Sequence, residues 1–179
     1  MGVPDYFEPT IGWRAWLVVE TKDGLRLQSV LYPTLWSPRR EEVAVCRPGD
    51  DATGALAPHE APHPDCRCGI YASKAPELAT PYVHTHGGGS SGSLLRIVGK
   101  VSLWGTVIEG AQGYRASRAY PERLYIPVDR IQGNRRVAPA VIAFELMSAY
   151  GVEVEPAAFP RNGDAPIVRE MPLRRRAAP

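Results

Sequence analysis

All three cysteines of the 179-residue chain fall within one 23-residue window, Cys46 to Cys68, and two of its four histidines, His59 and His63, fall there too. Residues 47–64, inside that window, are mostly Gly, Pro, Asp and Ala, which is loop chemistry. A loop of that length within a compact domain needs a reason, and a bound metal ion supplies one. A fold for this chain therefore has to return the loop to the end of a strand at Cys46, or explain why the thiols cluster without doing so.

Zn²⁺ is a borderline-soft ion that takes four ligands in a tetrahedron, and three thiolates with one imidazole fill it. The economical set is Cys46, His59, Cys66 and Cys68, with His63 as the alternative imidazole. Such a sphere has no open position, so its use is structural. The Cys66-Arg67-Cys68 spacing is tighter than the usual finger spacing, and Gly69 directly after it is placed to supply the bend that two such close ligands need. Two other uses stay open: cysteines that are simply reduced and bind no metal, and a reactive site. In the latter a thiolate at Cys66 or Cys68 beside His59 or His63 is a nucleophile, or a cysteine left off the metal opens a position for water. The zinc-deaminase pattern is the nearest hydrolytic one, but here Glu60 follows His59 directly and the thiols are one residue apart.

The rest of the chain reads as a small sheet. Seventeen glycines and eighteen prolines argue against a helical bundle and for short strands with many turns. Residues 11–20 and 25–30 alternate around Asp23 and Gly24 and predict a hairpin, with Trp13, Ala15, Leu17 and Val19 on one face of its first strand. Pro33 and Pro38 interrupt the chain after the hairpin, residues 42–46 predict a short third strand ending at a cysteine, and residues 69–72 a fourth, with a helical turn next over 75–79. Residues 94–108 predict one long strand or a strand pair, bent at Gly99 and Gly105. Residues 114–120 form the next strand, stopped by Pro121, and 124–128 one more, ending at an edge by Pro127. One helix is expected after Pro139, closed by Gly151, with Val141, Phe144 and Met147 in one stripe and Ile142, Leu146 and Tyr150 in a second, so that it packs over a wide face.

Charge is nearly balanced, 21 basic against 19 acidic side chains, and every basic residue except Lys22, Lys74 and Lys100 is arginine, as a GC-rich bacterial genome favours. No run approaches the roughly 18 apolar residues of a membrane span, and the start lacks the pattern of a signal peptide. A cytoplasmic protein with no membrane partner is expected, in which reduced thiols are normal. His84 and His86, beside the glycine run, are expected to be solvated.

Aromatic and guanidinium groups interleave at Trp13, Arg14 and Trp16 and again at Tyr114 and Arg115, with Trp104 between. On a sheet face they would stack bases and hold phosphates, which makes nucleic acid a candidate partner. The plainer reading is alternation, aromatics inward and arginines outward.

Ala44, Val45 and Cys46, then His59-Glu60-Ala61-Pro62 leading to Cys66-Arg67-Cys68-Gly69-Ile70-Tyr71-Ala72, and later residues 98–105 with Gly113-Tyr114-Arg115-Ala116, are similar to two motifs of a group of uncharacterised bacterial, largely actinobacterial, proteins. The resemblance spans residues 12–155. It implies that the Cys/His window acts as a unit and that the chain after Glu155 is an appendage, and it carries no activity. More loosely, the glycine-containing strand and aromatic-rich sheet resemble small PUA-like barrels that read nucleic acids.

The expected architecture is β-rich α+β: a twisted, mostly antiparallel sheet or partly open small barrel, one C-terminal helix and a metal-pinned loop. An arm over residues 1–10 precedes a single domain over 11–155, which holds the Cys/His loop 46–68 and a flexible loop 84–93. Residues 156–179, with Arg174, Arg175 and Arg176, form an extended or disordered tail. The expected function is a zinc-stabilised binding or adaptor module for a protein or small-molecule partner. The alternatives are a metal- or thiol-dependent enzyme and a nucleic-acid reader.

Overall fold

The computed structural model describes residues 8–51, 58–84, 93–127, 138–159 and 167–168. The strands are β1 (Thr10–Thr21), β2 (Gly24–Ser29), β3 (Glu42–Val43) and β4 (Ile70–Ser73). Two one-turn helices come next, α1 (Pro76–Ala79) and α2 (Pro81–His84), then the long strands β5 (Ser93–Glu109) and β6 (Gly113–Pro127). The helix α3 (Pro139–Tyr150), β7 (Glu153–Ala158) and β8 (Ile167–Val168) complete the described chain. Most of the expected N-terminal arm, the middle of the Cys/His loop, nearly all of the glycine-rich loop with His86, and the arginine-containing end lie outside the described residues. Among the described residues no helix is long and apolar enough to cross a membrane.

All eight strands belong to one twisted mixed sheet, β-rich α+β as the residue patterns predict. Its pairings close a ring: β1 pairs with β5, β5 with β6, β6 with β4, and β4 with β1, all antiparallel. The ring closes at Ser73, which faces Trp13 of β1 on one side and Gly113 of β6 on the other. That closure needs bare backbone, because a Cβ at Gly113 would sit 2.3 Å from the Ala72 carbonyl oxygen. The β1–β2 hairpin forms as its Asp-Gly pair predicts, with Thr21 opposite Gly24 and Gly24 at φ 98°.

β5 matches the expected long strand to within one residue at each end, whereas β6 joins into one strand the two segments that the sequence pattern separates. Pro121 does not end β6: it pairs with Val101 where the register shifts between Lys100 and Val101, and at such a bulge a missing N–H breaks no regular ladder bond. A second shift comes after Trp104, beside Gly105 at φ 74°. The chain also stays in the sheet beyond Glu155, because β7 pairs in parallel with β6 as far as Ala157 and with β8 at Ala157 and Ala158, while Ala157 and Phe159 are buried. Conversely, β3 is two residues long and stops before Cys46.

Both faces of β1 are covered. Trp16 and Val18 enter the main core with Leu27, Trp36, Leu103 and Leu124, whereas Ala15 meets Val98, Tyr125 and Phe159 on the other side. One stripe of α3, Ile142, Leu146 and Tyr150, seals the main core. Val141, Phe144 and Met147 remain exposed, so the helix packs over a narrower face than its two apolar stripes imply. Tyr150 ties the helix down: its hydroxyl donates to the Trp36 carbonyl at 2.7 Å and accepts from the Leu27 N–H at 2.9 Å. The helix ends at Gly151 in the left-handed conformation, φ 69°, and Arg39 donates to the Ser148 carbonyl there, a cation at the negative end of the helix.

Candidate metal centre

Three separate segments deliver the thiols and the imidazole. Ala44 makes a last ladder-type bond, N–H to the Ser117 carbonyl at 2.8 Å, and the chain then leaves the sheet towards Cys46. Directly after it, Arg47, Pro48, Gly49 and Asp50 form a tight turn with the Asp50 N–H on the Arg47 carbonyl at 3.0 Å and Gly49 at φ 93°, as a Pro-Gly pair favours. Asp50 is buried and works in both directions. Its carboxylate accepts from the Arg47 N–H at 2.8 Å, and its carbonyl accepts from the Arg67 N–H at 3.0 Å, joining the Cys46 segment to the Cys66–Cys68 segment.

The second segment turns at residues 63–66, where the Cys66 N–H meets the His63 carbonyl at 3.1 Å, and then enters β4 through Gly69 at φ 122°. Gly69 is the bend expected after the Cys-x-Cys pair. A Cβ there would also press on Pro62 and Arg115, at 3.0 and 3.1 Å.

Cys46, His59, Cys66 and Cys68 converge so that one ligand atom from each lies within 4.8 Å of every other. The Cys46 and Cys66 sulfurs are 3.7 Å apart, and the Cys68 sulfur is 3.6 Å from His59 Nε2. Tetrahedral Zn²⁺ with bonds of about 2.3 Å to sulfur and about 2.0–2.1 Å to nitrogen has S···S edges of about 3.8 Å and S···N edges of about 3.6 Å. Both distances match those edges, and the S···S distance exceeds by far the roughly 2.05 Å of a disulfide. Cys66 and Cys68 are buried and Cys46 half-buried, within a small cluster with Ala61 and Ala44.

Packing three thiols together is electrostatically costly. Burial, with the Cys66 thiol alongside, pushes the Cys46 thiol up to about 12, and burial pushes Cys68 up as well. Burial also opposes ionisation of Cys66, but hydrogen bonds from the Cys68 backbone and side chain, His59 and Cys46 outweigh it and hold that thiol below its ordinary value. The group favours one thiolate and resists three. A divalent cation among them reverses that balance, because a coordinating thiol is deprotonated outright.

His63 is placed differently. Its ring packs on that of His59 at 4.7 Å, and its Nδ1 accepts the Asp65 N–H at 3.3 Å. It is a neighbour of the converging set and not a member of it.

Arg115 is the residue whose role the sequence pattern misses. From β6, opposite Tyr71 of β4, its Nη1 donates to the carbonyls of Cys66, of Cys68 at 3.1 Å and of His63 at 3.3 Å. The guanidinium thereby collects the carbonyls of the cysteine turn and adds positive charge beside the thiols. No motif announces this; the only cue is an arginine on a strand that lies opposite the Cys-x-Cys segment.

Of the residues considered as ligand contacts, Trp13, Tyr114 and Arg115 line one groove, whereas Trp16 and Trp104 do not. Trp16 is fully buried in edge-on contact with Trp36, ring centres 5.4 Å apart, and Trp13 stacks on Tyr125 at 5.6 Å on the other side of the sheet. Trp104 sits half-buried at the β5 bulge, and Tyr114 packs on the main core with Lys74 over its ring. His84 ends α2 and is half-buried.

Compared with protein-family models, curated proteins and solved structures, the chain finds no significant match in any of the three.

Proposed function

We propose that Cys46, His59, Cys66 and Cys68 hold one Zn²⁺ in a closed structural centre, and that the protein is a zinc-stabilised binding module. The observation that carries this is the convergence of four soft and borderline ligand atoms from one 23-residue window within 4.8 Å of one another. Four protein ligands complete the tetrahedron and leave no position for water, which favours a structural over a hydrolytic role. A single tetrahedron also suits one ion better than a cluster whose ligands must spread over several metals.

The binding part of the reading rests on what the centre stabilises. A groove of about 840 Å³ runs beside it, and Val45, Arg47, Asp50 and Arg67, all next to or bridging the cysteine segments, form one wall. A metal that ties the segment after β3, at Cys46, to the turn at Cys66 holds that wall in place. Reduced thiols kept for a metal suit a reducing compartment, which supports a cytoplasmic location.

Chelation tests the reading. Withdrawing zinc from the purified protein with a strong chelator is expected to lower the unfolding temperature sharply and free three titratable thiols, since metal-binding energy in such sites is folding energy. Cys66→Ala and His59→Ala should reproduce the loss without chelator. A protein that unfolds at the same temperature with and without metal would overturn the reading.

A further inference from the structure

The floor of the groove holds a cation in an unusual position. Arg14 lies on the same face of β1 as Trp16 and Val18, turned towards the main core, contrary to the outward placement that alternation predicts. Its Nη1 donates to the Tyr71 carbonyl, its Nη2 to the Ser29 hydroxyl at 3.1 Å, and the guanidinium lies 5.3 Å from the centre of the Trp36 ring. Its Nε is shut off from solvent and has no hydrogen-bond partner among the described residues. Among the described residues no carboxylate pairs with it directly. Burial draws Arg14 down to about 10, with Glu42 pulling the other way, so it remains charged at neutral pH.

A second guanidinium is held on the same short loop. Arg47 donates to the Thr34 hydroxyl at 2.6 Å and stacks over Tyr32 at 4.8 Å, and the Ser29 N–H binds the Thr34 carbonyl at 2.9 Å, linking the supports of the two arginines. Both cations are thus held by hydroxyls, a carbonyl and aromatic faces, and the Glu42 carboxylate acts on both electrostatically without a direct ion pair. A buried or half-buried cation with no carboxylate in direct contact keeps part of its attraction for an incoming anion.

The rim is apolar. Leu31, Tyr32, Val43, Val45, Tyr71 and Tyr82 line the groove, and each is between 44% and 78% exposed, an unusual concentration of large hydrophobic side chains in water. The charged lining carries four arginines against Glu42, Asp50 and Glu109, an excess of one positive charge. That balance suits a singly charged anion better than a phosphate dianion. The volume falls in the range of pockets for small organic ligands.

We infer that this groove binds a small organic monocarboxylate with an apolar body, its carboxylate on Arg14 and Arg47 and its body along the Tyr32, Val45 and Tyr71 rim. This ligand class deepens the binding-module reading and rests on it for the wall that the metal holds.

Titration of the zinc-loaded protein with octanoate, 2-naphthoate, octanol and inorganic phosphate, monitored by calorimetry and tryptophan fluorescence, tests it. Octanoate and 2-naphthoate are expected to bind saturably at one per chain and at least tenfold more tightly than octanol or phosphate. Arg14→Gln should weaken both carboxylates at least tenfold. Should that variant fail to fold by circular dichroism, Arg47→Gln, at the half-buried mouth, decides instead, with an expected loss of at least threefold. Octanol or phosphate binding as well as octanoate, affinity unchanged in the folded arginine variants, or no saturable carboxylate binding would each overturn the inference. Zinc content measured on the same samples separates its failure from that of the metal reading: full zinc without carboxylate binding sinks only the ligand assignment.

Discussion

Arg115 Nη1 stands 3.1 Å from the Cys68 carbonyl oxygen, 47 residues away in sequence, and the same nitrogen also serves Cys66 and His63. One side chain on β6 therefore fixes the shape of a turn that carries two of the four converging ligands. Partners that orient ligands from behind typically contribute about 10–100-fold to metal affinity.

Arg115→Met should accordingly lower zinc affinity by about 10–100-fold with the four ligands intact, and destabilise the fold by about 2–4 kcal/mol through unsatisfied carbonyls. Arg115→Lys keeps the charge but loses the fork, and should fall between. Chelator competition with a zinc indicator, alongside denaturant unfolding, measures both effects; wild-type affinity in Arg115→Met would remove the positioning role.

The two histidines should separate cleanly. His59 Nε2 lies 3.6 Å from the Cys68 sulfur, whereas His63 holds its Nδ1 on the Asp65 N–H. His59→Ala should lose zinc by at least a hundredfold in affinity, and His63→Ala should keep the metal with a modest loss, on the order of 1 kcal/mol, from the turn it braces. Equal losses in both variants would show that the imidazoles exchange.

Tyr150 predicts an alkaline limit to stability. Burial raises its hydroxyl from 10 to about 12, even though the Leu27 N–H favours the ionised form. The folded protein holds this proton more tightly than the unfolded chain does. Its contribution is therefore complete below pH 10 and is lost as pH rises through about 12. Tyr71, Tyr120 and Tyr125 shift in the same direction, so the difference between wild type and Tyr150→Phe isolates the Tyr150 share. At neutral pH that substitution should cost about 1–3 kcal/mol, because it orphans the Trp36 carbonyl and the Leu27 N–H. The gap should narrow above pH 10 in denaturant titrations monitored by circular dichroism.

The β1–β2 hairpin, the helix from Pro139 to Gly151 and the Cys46, His59, Cys66, Cys68 set are readable because each depends on local chemistry: a turn pair, a cap, a cluster of soft ligands. The features that stay hidden depend on neighbours distant in sequence. Pro121 reads as a strand end until Val101 is seen opposite it at a bulge, and the parallel partner of β7 cannot be read from residues 153–158 alone. Phe144 and Ile142 carry equal apolar signals, and only the position of the sheet decides that one is 64% exposed and the other 2%. Arg14 and Arg115 read either as outward arginines or, with the aromatic residues beside them, as contacts for a ligand, and neither reading places Arg14 towards the core or Arg115 on the cysteine turn. Their roles come from ring closure, which sets Tyr71 and the cysteine turn between β1 and β6.

X-ray absorption at the zinc edge of the purified, unmodified protein tests the central claim most directly. The account predicts one zinc per chain with three sulfurs at about 2.3 Å and one nitrogen at about 2.0–2.1 Å. A folded protein without metal whose three thiols titrate freely, or a zinc sphere that contains an oxygen ligand, would contradict it.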